Sequence, residues 1–287
     1  MRLLTLFLMC LGAMGALQAQ EPLSQDEALK QIYSQYDAAK HTAHWVCTKE
    51  QEKDGMHTGW PCDKDNETVY VSVELTAEVQ EGSAKKTYFA ISAKPINPET
   101  GDYSGAGYNC HGCSVAVGAG VFTWKGQQWV LESASAAVGF YGEWGHPPGI
   151  ELVQVGPEKH GLLLSVNDEA QGFAGSNKIL LLPINRTVAE VWFIEDENDN
   201  LGRIDPNDKS NHEVPYKSSA TFKFFAANDG VSREYYDIEV ISRGKDREDF
   251  GHPIKPENWT EIYRFKDGKY KLLSHKDFIE VKKPAKK

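Results

Sequence analysis

Thr68-Val-Tyr-Val-Ser-Val-Glu-Leu75 decides the fold class. Apolar and polar residues alternate through it, which is the period of a strand with one buried face. Thr87-Tyr-Phe-Ala-Ile-Ser-Ala93 is the expected partner across a turn centred on Gly82. The same grammar continues outward. Val115–Trp124 and Trp129–Ser133 flank Lys125-Gly126-Gln127-Gln128, and Ile150–Val155 and Leu162–Val166 flank a Gly156–Gly161 turn. Ile179–Leu182, Val188–Ile194, Thr221–Ala226, Tyr235–Ser242, Thr260–Phe265 and Tyr270–Leu273 complete the series. Short strands with turns roughly every ten residues predict a mainly β, multi-stranded antiparallel sandwich, barrel or propeller-like arrangement.

One helix is expected, within residues 21–40. Ser24 followed by Glu27 reads as a capping box, and Leu29, Ile32, Tyr33 and Tyr36 recur at helical spacing. Upstream, Arg2 precedes an apolar run from Leu3 to Leu11, then small residues through Ala19. That layout reads as a secretory signal peptide, too short to span a membrane, and it takes Cys10 with it. The expected organisation is therefore a signal at 1–19, then a helix and disulfide-stapled segment at 20–66. A first β-rich half follows at 67–195 and a second at 196–287, the two able to form one continuous domain.

A short echo links the halves. Phe122-Thr-Trp-Lys-Gly-Gln-Gln-Trp-Val-Leu131 and Tyr263-Arg-Phe-Lys-Asp-Gly-Lys-Tyr-Lys-Leu272 carry aromatics at the same spacing around a turn. Both read as hairpins that bury alternating aromatics and leave a polar tip, and two copies suggest two related halves.

Without residues 1–19 the chain carries 30 basic against 41 acidic residues, a net charge of −11. An acidic surface argues against nucleic acid and anionic lipid, and suits a basic protein or a cation. No membrane insertion is expected after the signal is removed, and no cofactor is implied.

Four cysteines remain: Cys47, Cys62, Cys110 and Cys113. The cluster Cys110-His111-Gly112-Cys113 admits three chemistries. Haem attachment is excluded, because Ser114 stands where the histidine would be needed. A redox dithiol wants a following helix, and Ser114–Phe122 is β-branched and Gly-rich. Zinc would need two further ligands, which Cys47, Cys62 or His111 could supply. In an oxidising compartment two disulfides are the simplest outcome, with Cys47–Cys62 and Cys110–Cys113 the most economical of three connectivities. A Cys47–Cys62 bond would add about 3 kcal/mol by loop closure.

Two other segments invite a site. Val138-Gly-Phe-Tyr-Gly-Glu-Trp-Gly-His-Pro-Pro-Gly149 sets Phe140, Tyr141, Trp144 and His146 among glycines and prolines, a loop suited to binding a protein, peptide or glycan. Within residues 195–213, Asp196, Asn198 and Asn200 have the alternating spacing of a calcium loop. The match then fails, because Gly202 comes one residue late and Asn207 stands where a bidentate Glu is needed. No G-x-S-x-G, H-E-x-x-H or phosphate-binding glycine loop is present.

Tyr235–Val240 with Ile262–Tyr270, and Tyr108–Phe122 with its Cys-His-x-Cys, resemble segments of exported bacterial proteins of uncharacterised function. The resemblance implies a cell-envelope location and a β-rich fold, and no activity. Two readings follow. One is an exported binding protein, periplasmic or secreted, using the 138–149 loop; inhibition of a basic hydrolase is one version. The other is an envelope enzyme or a metal-binding or thiol-redox protein, using Cys110, His111 and Cys113 with acids from 195–213. The lack of any complete catalytic set favours the first.

Overall fold

A computed structural model describes residues 21–49, 51, 68–96, 111–204, 214–246, 255–256 and 258–278. They form two antiparallel sheets and one helix. The first sheet has the order β1-β2-β3-β4-β5, from Thr42–His44, Thr68–Glu81, Ala84–Pro95, Val115–Lys125 and Gln128–Tyr141. The second begins with β6 (Gly149–Gly156), β7 (Lys159–Ala170), β8 (Phe173–Ile184) and β9 (Thr187–Asp199). It continues through β10 (Lys217–Phe225), β11 (Asp237–Asp246), β13 (Trp259–Lys266) and β14 (Lys269–Asp277), with β12 (Lys255–Pro256) beside β11. Nearly every strand pairs with its neighbour in sequence, so the mainly β expectation holds. Among the described residues no helix is long and apolar enough to cross a membrane.

Three layers of side chains follow from strand alternation. Helix α1 (Gln25–Ile32) lies on the outer face of the first sheet. It buries Ala28 and Leu29, with Leu23 and Tyr33 beside it, against Val69, Phe89, Ile91, Ala116 and Phe122. Between the sheets, Tyr88, Ala90, Val115, Val117, Ala119 and Val121 meet Leu162, Leu164, Ile179 and Leu181. The third layer lies within the curled second sheet, where Trp192 and Ile194 of β9 pack with Ile238, Val240 and Tyr270.

The helix is shorter than its periodicity suggests. Its capping box is present, with Ser24 accepting from the Glu27 backbone nitrogen. The helix ends when Tyr33 turns extended, and the Tyr33 hydroxyl donates to the Ala136 carbonyl at 2.9 Å. That contact with β5 outweighs one more turn of Ile32–Tyr36 helix. Strand β4 is buried on both faces, which explains its small residues. A Cβ on Gly120 would stand 2.6 Å from Ile32 Cδ1, so the glycine gives the Ile32 side chain room against the sheet.

Both echo segments are hairpins. Trp124 stands opposite Trp129 with ring centroids 5.3 Å apart, and Phe265 opposite Tyr270 at 5.4 Å. They sit in different sheets.

Two boundaries differ from the sequence reading. The segment 138–149 is a loop only in its second half, because β5 runs through Tyr141 and Phe140 is paired with Ala116. The acidic stretch from 195 continues β9 to Asp199, so the alternation of Asp196 and Asn198 is strand pleat rather than a cation loop. The first sheet ends with β5 and the second begins with β6.

Candidate functional site

Beyond Tyr141 the chain reverses in a tight turn. Gly142 has φ +84°, and a Cβ there would meet the His146 carbonyl oxygen at 2.0 Å. Glu143 and His146 form an isolated antiparallel bridge, with the His146 nitrogen donating to the Glu143 carbonyl at 2.8 Å. The two residues at the tip, Trp144 and Gly145, both lie at positive φ, the arrangement that suits the twist of a hairpin. Left-handed backbone suits Gly145 but costs a bulky residue such as Trp144 about 1–2 kcal/mol. Trp144 is nevertheless 45% exposed.

The turn is docked onto the start of β4. Gly145 donates from its backbone to the Cys113 carbonyl at 2.7 Å, and the His111 ring meets the Trp144 ring edge-on at 5.5 Å. A third strand completes the group. At the far end of β7, Asp168 and Glu169 approach from the second sheet. His111 Nε2 lies 3.2 Å from Glu143 Oε2, 3.2 Å from Asp168 Oδ1 and 2.8 Å from the Glu169 carbonyl oxygen. The imidazole nitrogen and the two carboxylate oxygens all fall within 4.8 Å of one another. Glu143 Oε2 is sealed from solvent and has no hydrogen-bond donor, a condition that costs a polar atom about 1–3 kcal/mol if nothing satisfies it. One nitrogen and three oxygens thus converge where the sheets meet.

No family model, curated protein or solved structure matches the chain.

The arrangement joins two segments that the sequence presents separately, the Cys-His-Gly-Cys run and the aromatic loop. It also sorts the loop residues. Phe140 is 9% exposed and meets Trp45 edge-on at 6.2 Å, and Tyr141 donates to Glu190 Oε2 at 2.7 Å. Both belong to the scaffold. Trp144 and His146 are the members that face solvent. Sequence reasoning missed Glu143, which stands inside the quoted loop, and Asp168 and Glu169. The only signal for the latter pair was the Gln171-Gly172 turn that carries the β7–β8 hairpin to this edge.

Cys113 is buried and Cys47 packs against the helix-side core. No two cysteines among the described residues lie at bonding distance. Cys62 and Cys110 lie outside the described residues, and with them the expected Cys47–Cys62 and Cys110–Cys113 pairings.

The residues read as calcium-like serve the sheet. Asp196 accepts from Ser176 at 2.7 Å and lies 3.5 Å from Lys178 Nζ. Asn200 accepts from the Tyr216 nitrogen at 2.9 Å and donates to the Val214 carbonyl, closing the link to β10. Asn198 stands in β9 opposite Gly175 and Ser218. Asp196 also lines a cavity of ≈ 320 Å³ at the open end of the curled sheet, with Ser218, Ser242, Trp259, Glu261 and Tyr263. His275 Nδ1 lies 2.8 Å from Glu261 Oε1.

Proposed function

We propose that the protein is an exported binding protein whose working surface is the Trp144 turn, and that its ligand is a glycan of the cell envelope. The observation that carries this reading is the exposed indole of Trp144 on a left-handed turn beside Glu143, His111 and Asp168. Strained, exposed aromatics concentrate where something is bound. An aromatic face flanked by carboxylates suits a sugar, whose C–H face stacks while its hydroxyls donate. The acidic surface disfavours anionic polymers and favours neutral or cationic ones.

Export is part of the same proposal and is supported by the Arg2–Ala19 pattern, which lies outside the described residues. Mass spectrometry of the protein recovered from the cell envelope or medium should give an N-terminus at Gln20. The two expected disulfides are likewise a proposal, and alkylation of the denatured mature protein should find no free thiol.

Binding is tested by tryptophan fluorescence and calorimetry with soluble envelope oligosaccharides. The wild type should bind, and Trp144→Ala should bind at least about tenfold more weakly, the loss of one stacked ring. Equal binding by the variant, or no binding by the wild type, would overturn the reading.

A further inference from the structure

We infer that His111, Glu143, Asp168 and the Glu169 carbonyl form a site for one divalent first-row transition-metal ion, of which zinc is the test case. The inference concerns the face proposed above and rests on that reading for its role, though not for its chemistry.

Counting hydrogens gives the first argument. An imidazole Nε2 carries at most one hydrogen, even in the protonated ring. Three oxygens crowd the Nε2 of His111 at 2.8, 3.2 and 3.2 Å. One N–H satisfies one of them, and the 2.8 Å contact to the Glu169 carbonyl is the one with hydrogen-bond geometry. Glu143 Oε2 is then left buried without a donor. A cation would satisfy all the oxygens together, and the unprotonated nitrogen with them.

Spacing gives the second argument. Ligands bound at about 2.1 Å in octahedral geometry lie about 3.0 Å apart when adjacent and about 4.2 Å apart when opposite. The nitrogen–oxygen separations of 2.8–3.2 Å agree with the adjacent value, and the side-chain donor atoms all lie within 4.8 Å of one another. The two carboxylates and the carbonyl gathered on one nitrogen repel one another unless a cation stands among them.

The donor types choose the metal. An imidazole nitrogen favours zinc, iron, nickel or copper over magnesium and calcium, while oxygen ligands are acceptable to all of them. The Cys-His-Gly-Cys segment thus contributes its histidine rather than its thiols. The scaffold is suited to hold the set: the Trp144 edge fixes the His111 ring, and the Gly145–Cys113 bond anchors the turn that presents Glu143. The Asp168 side chain is 65% exposed, so the ion would keep a side open to water or to a ligand hydroxyl. Because Asp168 and Glu169 come from the second sheet, the ion would also bridge the two sheets.

The test uses the full purified protein, stripped with chelator and titrated with zinc by calorimetry, beside His111→Ala and Asp168→Asn. Asp168 lies on an exposed hairpin, so its amide variant folds, and circular dichroism checks both variants. The expected result is one zinc per chain, a melting temperature raised by zinc, and affinity lowered about a hundredfold in His111→Ala and about tenfold in Asp168→Asn. No stoichiometric binding, or binding that survives in both variants, would overturn the inference; zinc held by cysteines would show the second pattern. Repeating the oligosaccharide titration with and without zinc separates the two proposals. Zinc bound without any sugar leaves the metal site standing and removes the glycan reading, and sugar bound without any zinc does the reverse.

Discussion

Glu81 and His160 face each other across the two sheets. Glu81 Oε1 accepts from the His160 backbone nitrogen at 2.9 Å and lies 3.1 Å from its Nδ1. The same oxygen accepts from the Tyr88 hydroxyl at 2.7 Å, and Lys86 Nζ lies 3.0 Å from Oε2 and 2.9 Å from Glu132. This buried network ties the β2–β3 turn to the β6–β7 turn, and the His111 group ties the sheets through other hairpins.

Burial alone would raise the Glu81 carboxyl, but hydrogen bonds from Tyr88, Lys86 and His160 outweigh it and hold the group below its ordinary 4.5. A lowered folded-state value means stability that is complete above pH 4.5 and lost as pH falls through the folded value. Glu81→Gln should therefore cost about 2 kcal/mol at neutral pH and flatten the loss of stability below pH 4.5. Thermal melts between pH 3 and pH 7 would read both effects. A variant with the wild-type acid profile would remove Glu81 from this role.

Arg264 grips Asp237, which is 1% exposed, through Nε at 3.1 Å and Nη2 at 2.7 Å. Arg264→Ala would leave a carboxylate buried without its cation. The cost should be about 2–4 kcal/mol in urea denaturation, near the lower end of a broken buried pair because Arg264 is partly exposed. Arg264→Lys should recover only part of this, since a point charge cannot reproduce the two-point contact.

Gly142 and Gly112 lie near the same site and should respond oppositely. Gly142→Ala puts a methyl group into the His146 carbonyl at φ +84°, so it should cost about 1–3 kcal/mol and disturb the Trp144 turn. Gly112 has no positive φ and no described atom near its would-be Cβ. Gly112→Ala should leave the melting temperature within about a degree of the wild type. Equal effects would mean that the turn is not constrained as described.

The cavity at the other end offers a contrast. If the glycan is held at the Trp144 turn, Trp259→Ala should leave its affinity unchanged while Trp144→Ala weakens it. The reverse result would move the ligand to the cavity lined by Asp196, Ser218 and Trp259. Beside that cavity's Glu261, hydrogen bonds to Glu261 and then Asp277 raise His275 above its ordinary 6.5. Its contribution is full below pH 6.5 and fades as pH rises through the raised value. His275→Asn should remove a small pH dependence of the melting temperature on the alkaline side of 6.5.

The strands were legible because alternation is local. Thr68–Leu75 and the two aromatic hairpins carry their own face assignment, and the Ser24–Glu27 box marks the helix start within four residues. The helix end was not local, because it depends on Tyr33 reaching a carbonyl over 100 residues away. The calcium-like spacing of Asp196 and Asn198 was ambiguous for a related reason: alternating acids mark a cation loop or a strand face equally well. Only the pairing of β9 with β8 and β10 separates the two.

The sequence by itself determined the β architecture, the capped helix, the acidic balance and the two segments from which a site is made. Only the tertiary structure decided that the segments meet. Period-two patterning sets which face of a strand is buried but carries nothing about which hairpin ends lie together across a sandwich. Curling and stacking of the sheets bring Asp168 of one to His111 and Glu143 of the other, and distance then makes three ordinary residues into one candidate site.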